Sequence, residues 1–136
     1  MDLDRALRIS AAGMQAQSTR LRVVAENLAN RDSTAETAGG DPYRRKTVTF
    51  RNRMDRALGA PTLQVTRVGR AQGDFPVRHD PSHPAADARG YVRMPNVDSL
   101  VETMDMREAQ RSYTANLSVL EVTRGMLTRT IEALRG

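Results

Sequence analysis

Proline and glycine are concentrated in the middle of this chain. All six prolines and six of the nine glycines lie between residues 32 and 95. Because both residue types interrupt helices, long helices can form only on either side of this segment. A length of 136 residues fits a single domain. The sequence therefore predicts a mainly α fold with a small β module: an N-terminal helix in residues 1–31, an irregular and β-rich middle segment in 32–95, and a C-terminal helix in 96–136.

Large apolar side chains recur every seven residues in both flanks. A sustained period of seven is typical of helices that supercoil around a partner helix. We therefore predict that the two terminal helices, over about residues 3–29 and 97–134, pair as a coiled coil. The residues predicted to form this helix seam and to contribute to assembly are Leu7, Met14, Leu21 and Leu28 in the first helix, and Met106, Tyr113, Leu120, Leu127 and Leu134 in the second.

Both helices also carry apolar residues outside this seam, namely Ile9, Ala16 and Val23 on the first and Leu117, Val119, Val122, Met126 and Ile131 on the second. A simple pair of helices would leave part of this surface in water. The predicted second helix would be roughly 57 Å long, which exceeds what a short irregular segment can cover. The length of the helix therefore favours neighbouring chains as the cover of its apolar surface. The alternative is a helical hairpin within one monomer that docks on the middle segment and covers this surface itself.

The middle segment contains short β patterns. Residues 44–50 and 63–68 alternate β-branched or aromatic residues with polar ones, and residues 74–78 form a third candidate strand. Residues 34–41 and 80–90 have the composition of loops. We expect a small β module in the middle of the chain.

Composition excludes several functional classes. The chain has no cysteine, which rules out disulfides, thiolate metal ligands and a cysteine nucleophile. No apolar run is long enough for a transmembrane helix, and the N-terminus lacks the apolar core of a secretory signal. The net charge of +5 is concentrated in residues 32–95, where eleven basic and seven acidic residues give +4.

The candidates for catalysis are weak. His79 and His83 are four residues apart, as two metal ligands on one helix would be, but Pro81 and Pro84 exclude a regular helix there. With no other histidine, a hydrolytic triad would have to recruit one of this pair. We predict no catalytic residue, no cofactor, no metal site and no small-molecule substrate. A metal-dependent enzyme would depend on this histidine pair.

A basic segment at residues 44–56 is the best binding candidate. It contains six basic residues and one acidic residue, Asp55. Such a segment can contact phosphates, which suggests an alternative function as a basic nucleic-acid-binding protein with helical dimerisation arms. On a strand, however, successive charges point to opposite faces. We therefore predict that Arg44, Arg45 and Lys46 form a lateral contact between subunits, and that nucleic acid is not a partner.

Five sequence motifs in a fixed order carry a resemblance to a known family. They lie at residues 10–30, which include Ala-Gln, Arg-Leu and Asn-Leu-Ala-Asn, and at residues 42–46, 79–84, 90–98 and 111–116. This order resembles the flagellar rod and hook proteins. The resemblance spans nearly the whole chain.

The resemblance implies a structural subunit of the proximal rod, the drive shaft of the flagellar basal body that crosses the periplasm and transmits torque. It also implies export through the flagellar type III apparatus without cleavage. The implied partners are its own copies, the sister rod proteins, the export-gate adaptor protein and the distal rod.

Three asparagines are predicted to fix the register of the terminal helices. The amides of Asn27, Asn30 and Asn116 are costly to bury without hydrogen bonds. We expect them to bond at helix ends or across subunits. Asn96 is predicted to cap the second helix, with Asp98 and Glu102 near its positive end.

Overall fold

The structure is a computed structural model that describes residues 2–136. It confirms the predicted fold class, with two long helices at the chain ends and a small β module between them. The elements in chain order are α1 (Asp2–Ala29), β1 (Lys46–Asp55), β2 (Ala60–Arg70), β3 (Val77–His79), β4 (Tyr91–Arg93) and α2 (Ser99–Arg135). Within residues 2–136, no helix is both long and apolar enough to span a membrane.

The helix ends follow local hydrogen bonding. The α1 helix closes where the Asn30 side-chain amide donates to the carbonyl oxygen of Glu26 at 2.8 Å. At the start of α2, Asp98 Oδ1 accepts the backbone N–H groups of Leu100 and Val101 at 3.0 and 3.4 Å, as an N-cap does. The prediction that Asn96 caps this helix is therefore wrong. Its Oδ1 instead accepts the backbone N–H of Arg45 at 2.7 Å.

The β module consists of two separate two-stranded sheets. One pairs β1 with β2, and the other pairs β3 antiparallel with β4. The β1 strand begins two residues later than the predicted range 44–50 and extends five residues further, whereas β2 extends beyond the predicted range 63–68 at both ends. The β3 strand overlaps the predicted range 74–78 only at Val77 and Arg78. In the turn that joins β1 and β2, Asp55 Oδ1 accepts the N–H groups of Ala57 and Leu58 at 2.9 and 3.3 Å. Gly59 completes the turn with a φ of 65°, a conformation that glycine adopts without strain.

The β4 strand was not predicted from the sequence. It is formed by three residues around Val92, whose side chain is fully buried. Before it, Gly90 has a φ of 85°, and a Cβ there would lie 2.9 Å from Pro81. The Asp87 carboxylate accepts the N–H groups of Tyr91 and Arg89, and these hydrogen bonds lower its pKa.

The chain divides into two units. The first comprises the chain up to Leu21 together with Thr49–Arg67 and Arg107–Gly136. The second comprises Arg22–Val48 and Val68–Met106. Each unit contains part of both helices and part of the β module.

In the first unit the two helices run antiparallel. Arg20 pairs with Glu108 at 3.3 Å, and one heptad earlier on α1 Gly13 lies against Asn116 of α2. A Cβ at Gly13 would lie only 2.9 Å from the Asn116 amide nitrogen. The glycine therefore permits a close approach of α2 to α1 at this point.

Candidate functional site

Asn27 is the centre of a buried polar cluster in the second unit. Its Nδ2 donates to the carbonyl oxygen of Lys46 at 2.9 Å and to Glu102 Oε2 at 3.4 Å. Its Oδ1 accepts the backbone N–H of Lys46 at 2.9 Å and the hydroxyl of Tyr43 at 2.8 Å. These four bonds use both donors and both acceptor positions of the amide. They connect α1 to the start of β1 and to α2. We call Asn27, Tyr43, Arg45, Lys46 and Glu102 the Asn27 cluster.

Glu102 supplies the buried negative charge of the Asn27 cluster. Its side chain has no exposed surface, and Oε1 accepts a hydrogen bond from Nε of Arg45. The same guanidinium lies 3.9 Å from a carboxylate oxygen of Asp105. A buried carboxylate is tolerated only when a cation and hydrogen bonds compensate for its lost hydration, and Arg45 and Asn27 provide both.

Lys46 and Arg44 also find their partners within the chain. The Lys46 ammonium lies 2.8 Å from Glu26 Oε2, and this hydrogen bond lowers the pKa of Glu26. The Arg44 guanidinium donates to the carbonyl oxygens of Ala71 and Gly73 at 2.8 and 2.9 Å. It also stacks over the ring of Phe75 at 4.2 Å. All three cations of the predicted lateral contact thus have contacts inside the second unit, and their role between subunits stays a prediction.

Burial raises the pKa of the Tyr43 hydroxyl, because ionisation would place a negative charge in a poorly hydrated site. The hydroxyl therefore stays protonated at neutral pH and serves as the donor to Asn27.

The other two predicted register residues have different surroundings. Asn30 bonds within the end of α1, where its amide donates to Glu26 and its Oδ1 accepts the hydroxyl of Ser33 at 3.0 Å. Asn116 donates to the carbonyl oxygen of Ser112 at 3.0 Å and lies against Gly13. Of the three asparagines, Asn27 is the one that joins separate elements through its own amide. Contacts of these residues across subunits stay a prediction.

The predicted seam residues are half-buried along most of both helices. This holds for Leu7, Met14, Leu21 and Leu28 on α1 and for Met106, Tyr113, Leu120 and Leu127 on α2. Leu134, in contrast, is 84% exposed. The helix positions with the least exposure are mostly small or polar: Ser10, Ala16, Gln17, Val23, Val24 and Asn27 on α1, and Glu102, Ala109 and Thr123 on α2.

The apolar residues outside the predicted seam differ in their exposure. Ala16 and Val23 are buried, Leu117 is half-buried, and Ile9 and the other four residues, all on α2, are exposed. Val119, Val122, Met126 and Ile131 have between 48% and 60% of their surface in water. The first three follow at intervals of three and four residues, which places them on one face of α2. Residues 2–136 leave this face uncovered.

The two histidines have structural contacts. His83 Nδ1 accepts the N–H of Ala85 at 3.0 Å, and its Nε2 lies 3.5 Å from the hydroxyl of Thr34. His79 packs edge-on against Tyr91 with ring centroids 4.9 Å apart. Among residues 2–136, no group of three or more histidine, aspartate or glutamate side chains is arranged to hold a metal ion.

Glu102 and Asn96 are the members of this region whose roles sequence reasoning missed. Both were interpreted as features of the α2 start. A signal for Glu102 was present, because Ala109, Asn116 and Thr123 repeat every seven residues and one further step towards the N-terminus reaches position 102. A carboxylate on a buried stripe predicts a buried cation partner.

Comparison with known proteins defines the class to which this fold belongs. Residues 7–35 match the family model described as Flagella basal body rod protein. Residues 88–133 match the model described as Flagellar basal body rod FlgEFG protein C-terminal. These matches cover most of α1 and most of α2, and the class they define is that of the flagellar rod proteins.

Curated relatives narrow the class to one family. The chain is 50% identical over 133 residues to flagellar basal-body rod protein FlgC of Agrobacterium fabrum, with 98% of this chain and 96% of the relative covered. It is 40% identical to FlgC of Aquifex aeolicus, with 98% of each chain covered. It is 42% identical to FlgC of Salmonella typhimurium, with 90% of this chain and 91% of the relative covered. The chain belongs to the FlgC family of flagellar basal-body rod proteins, which confirms the resemblance found in its sequence.

Proposed function

We propose that this protein is a structural subunit of the proximal rod of the flagellar basal body and that it catalyses no reaction. In this proposal the terminal segments 1–31 and 96–136 assemble with copies of the chain and with sister rod proteins into a tube that transmits torque. The full-length similarity to FlgC proteins supports the membership of the rod.

One structural observation carries the assembly role. The face of α2 formed by Val119, Val122 and Met126 remains at least half exposed although both helices are already paired. Apolar helix faces of this kind gain free energy when another helix covers them, at about 25 cal/mol per Å² of apolar surface removed from water. The helix pair therefore has a second surface suited to packing against neighbours.

The test replaces Val119 and Val122 by asparagine in a strain that lacks the native chain. We expect rod growth to stop and motility to be lost, because asparagine keeps the size of the side chains and removes their apolar surface. Val77→Asn is the matched control, since Val77 is 62% exposed and lies on β3 rather than on the helix. Full motility and normal basal bodies with Val119→Asn and Val122→Asn would contradict the proposal.

The same family membership suggests an export route and two specific neighbouring proteins. We propose that the chain leaves the cell through the flagellar type III apparatus without cleavage, and that it contacts the export-gate adaptor protein and the distal rod. Mass spectrometry of the chain from purified basal bodies tests the first point, because a shortened N-terminus would contradict it. Crosslinking within the purified basal bodies tests the proposed contacts with the export-gate adaptor protein and with the distal rod.

Nucleic acid binding is the competing function, and three of the six cations on which it was based, Arg44, Arg45 and Lys46, are engaged inside the chain. A rod subunit should bind duplex DNA weakly even at low salt. A nucleic-acid-binding protein should bind tightly and lose affinity steeply as salt rises. Fluorescence anisotropy with labelled DNA distinguishes the two, and tight, salt-sensitive binding would favour the competing function.

A further inference from the structure

The basic segment of residues 44–56 is split into two parts by the fold. The three cations at 44–46 have partners in the second unit, as described above. The other arginines of the segment lie in the first unit, with Arg51 and Arg53 on β1 and Arg56 in the turn that follows. Arg67, which lies outside the segment, is on β2 in the same unit. We call these four residues the arginine hairpin. All four are exposed.

The arginine hairpin keeps its charge uncompensated. Within residues 2–136, none of its four guanidinium groups takes part in an ion pair or a side-chain hydrogen bond. The acidic residue of the hairpin, Asp55, uses one carboxylate oxygen to accept two N–H groups of the turn. Other arginines of the chain, such as Arg20 and Arg93, are paired with carboxylates.

Strand geometry directs part of this charge to one side. Arg51 and Arg53 are two residues apart on β1, so their side chains lie on the same face of the hairpin. Met54, on the other face, is 64% exposed. A two-stranded hairpin with exposed residues on both faces is marginally stable by itself, and it gains stability when another surface packs against it.

The chemistry of these residues favours an acidic protein surface as the partner. The planar guanidinium group forms paired hydrogen bonds with carboxylates, and arginine and methionine are both enriched in protein interfaces. Single-stranded nucleic acid would require aromatic side chains for stacking. Of the two aromatic residues in or beside the basic segment, Phe50 is half-buried, and Tyr43 is held in the Asn27 cluster.

We propose that the arginine hairpin docks on a cluster of aspartate and glutamate side chains of a neighbouring protein in the basal body. This inference rests on the proposed function, because it takes the partner from the proteins that surround a rod subunit. It assigns the contact to residues 51–67 and leaves Arg44, Arg45 and Lys46 in their internal ion pairs and hydrogen bonds.

The experiment places a photo-crosslinking phenylalanine derivative at Ala57, an exposed residue of the turn next to Arg56, in the full-length chain in cells. Basal bodies are purified after illumination, and the crosslinked peptide is identified by mass spectrometry. We expect a peptide of a neighbouring protein that carries clustered aspartate and glutamate residues.

A pair of matched variants tests the role of charge. Arg51→Glu combined with Arg53→Glu should lower the crosslink yield by about tenfold or more, because like charges then face each other across the contact. Arg78→Glu combined with Arg89→Glu changes the net charge equally at exposed sites of the second unit and should leave the yield unchanged.

Three results would overturn the inference while the proposed function stands: a crosslink to a peptide without acidic residues, a crosslink to nucleic acid or lipid, or no crosslink in basal bodies that contain the chain. Equal yields from the two charge variants would also overturn it. Absence of the chain from purified basal bodies would overturn the proposed function and this inference together.

Discussion

Replacing Glu102 by alanine should destabilise the second unit by about 3 kcal/mol. Removal of one partner from a buried ion pair typically costs about 3–5 kcal/mol, because the other charge stays without compensation. Here the Arg45 side chain is 27% exposed and its guanidinium also lies 3.9 Å from Asp105. Water and this second carboxylate recover part of the loss, which places the expected value at the lower end of the range.

Glu102→Gln separates the charge from the shape of the side chain. The single amide oxygen of glutamine can accept from Arg45 or from Asn27 but not from both, because these two groups donate to different oxygens of Glu102, and the negative charge opposite Arg45 is lost. Since a hydrogen bond to a charged group contributes about 1.5–3 kcal/mol and a neutral one about 1 kcal/mol, weakening one bond and losing the other should cost about 2–3 kcal/mol.

Urea unfolding followed by near-ultraviolet circular dichroism measures these effects. Two of the three tyrosines, Tyr43 and Tyr91, lie in the second unit and report on its packing. The expected change is a lower urea midpoint at an unchanged slope. Arg78→Met, at an exposed arginine of the same unit, is the control and should leave the midpoint within error.

A double-mutant cycle with Arg45→Met tests the cause. If the two charges stabilise each other as described, the combined loss of Glu102 and Arg45 should be smaller than the sum of the single losses by about 1–3 kcal/mol. Strictly additive effects, or a cost below about 1 kcal/mol for Glu102→Ala, would refute the account of the Asn27 cluster as a compensated buried charge.

Three further predictions concern single sites. Gly13→Ala should lower the melting temperature, because the added Cβ would lie 2.9 Å from Asn116. This loss is expected although alanine favours helix over glycine by about 1 kcal/mol. Adding Asn116→Ala should reverse the loss in thermal melts. Gln17→Met should stabilise the chain by about 1 kcal/mol in the same assay, because the buried Gln17 Oε1 has no hydrogen-bond partner within residues 2–136. An unchanged melting temperature would contradict this prediction. Hydrogen bonds from the N–H groups of Tyr91 and Arg89 lower the pKa of Asp87, so its contribution to stability is present above the ordinary value of 3.8 and is lost as the pH falls through the lower folded value. Urea titrations from about pH 2 to 6 should show that Asp87→Asn flattens this dependence, and identical pH profiles for the two chains would count against it.

The helices could be predicted from the sequence because their determinants are local. Uninterrupted periodicity and the absence of proline predict the bounds of α1 and α2 to within two residues at each end. The strands depend on non-local partners. Residues 51–55 lack a β-branched pattern and belong to β1 because β2 pairs with it, and the three residues of β4 form a strand only against β3. Such pairings are not encoded in a local pattern.

The Asn27 cluster shows the same division between local and non-local information. The sequence singled out Asn27 because an amide in a helix of this kind needs partners. Its partners come from residues separated by between 16 and 75 positions along the chain, which no spacing rule identifies. The charges of Arg45 and Lys46 were interpreted as directed outward, because the acidic residues that neutralise them, Glu102 and Glu26, are distant in sequence.

The distribution of burial along the helices explains why a chain with so regular a heptad pattern is suited to assembly. In a self-sufficient coiled coil, the large apolar residues of the seam are the most buried. Here the least exposed positions include Gln17, Ala109 and Thr123, whereas the leucines of both helices keep part of their surface in water. Small and polar residues at the centre of the contact allow close approach but contribute little hydrophobic free energy. The helix pair is therefore held together weakly by its own contact and gains stability from every neighbour that covers the remaining apolar surface, so that assembly and helix stability are linked by mass action.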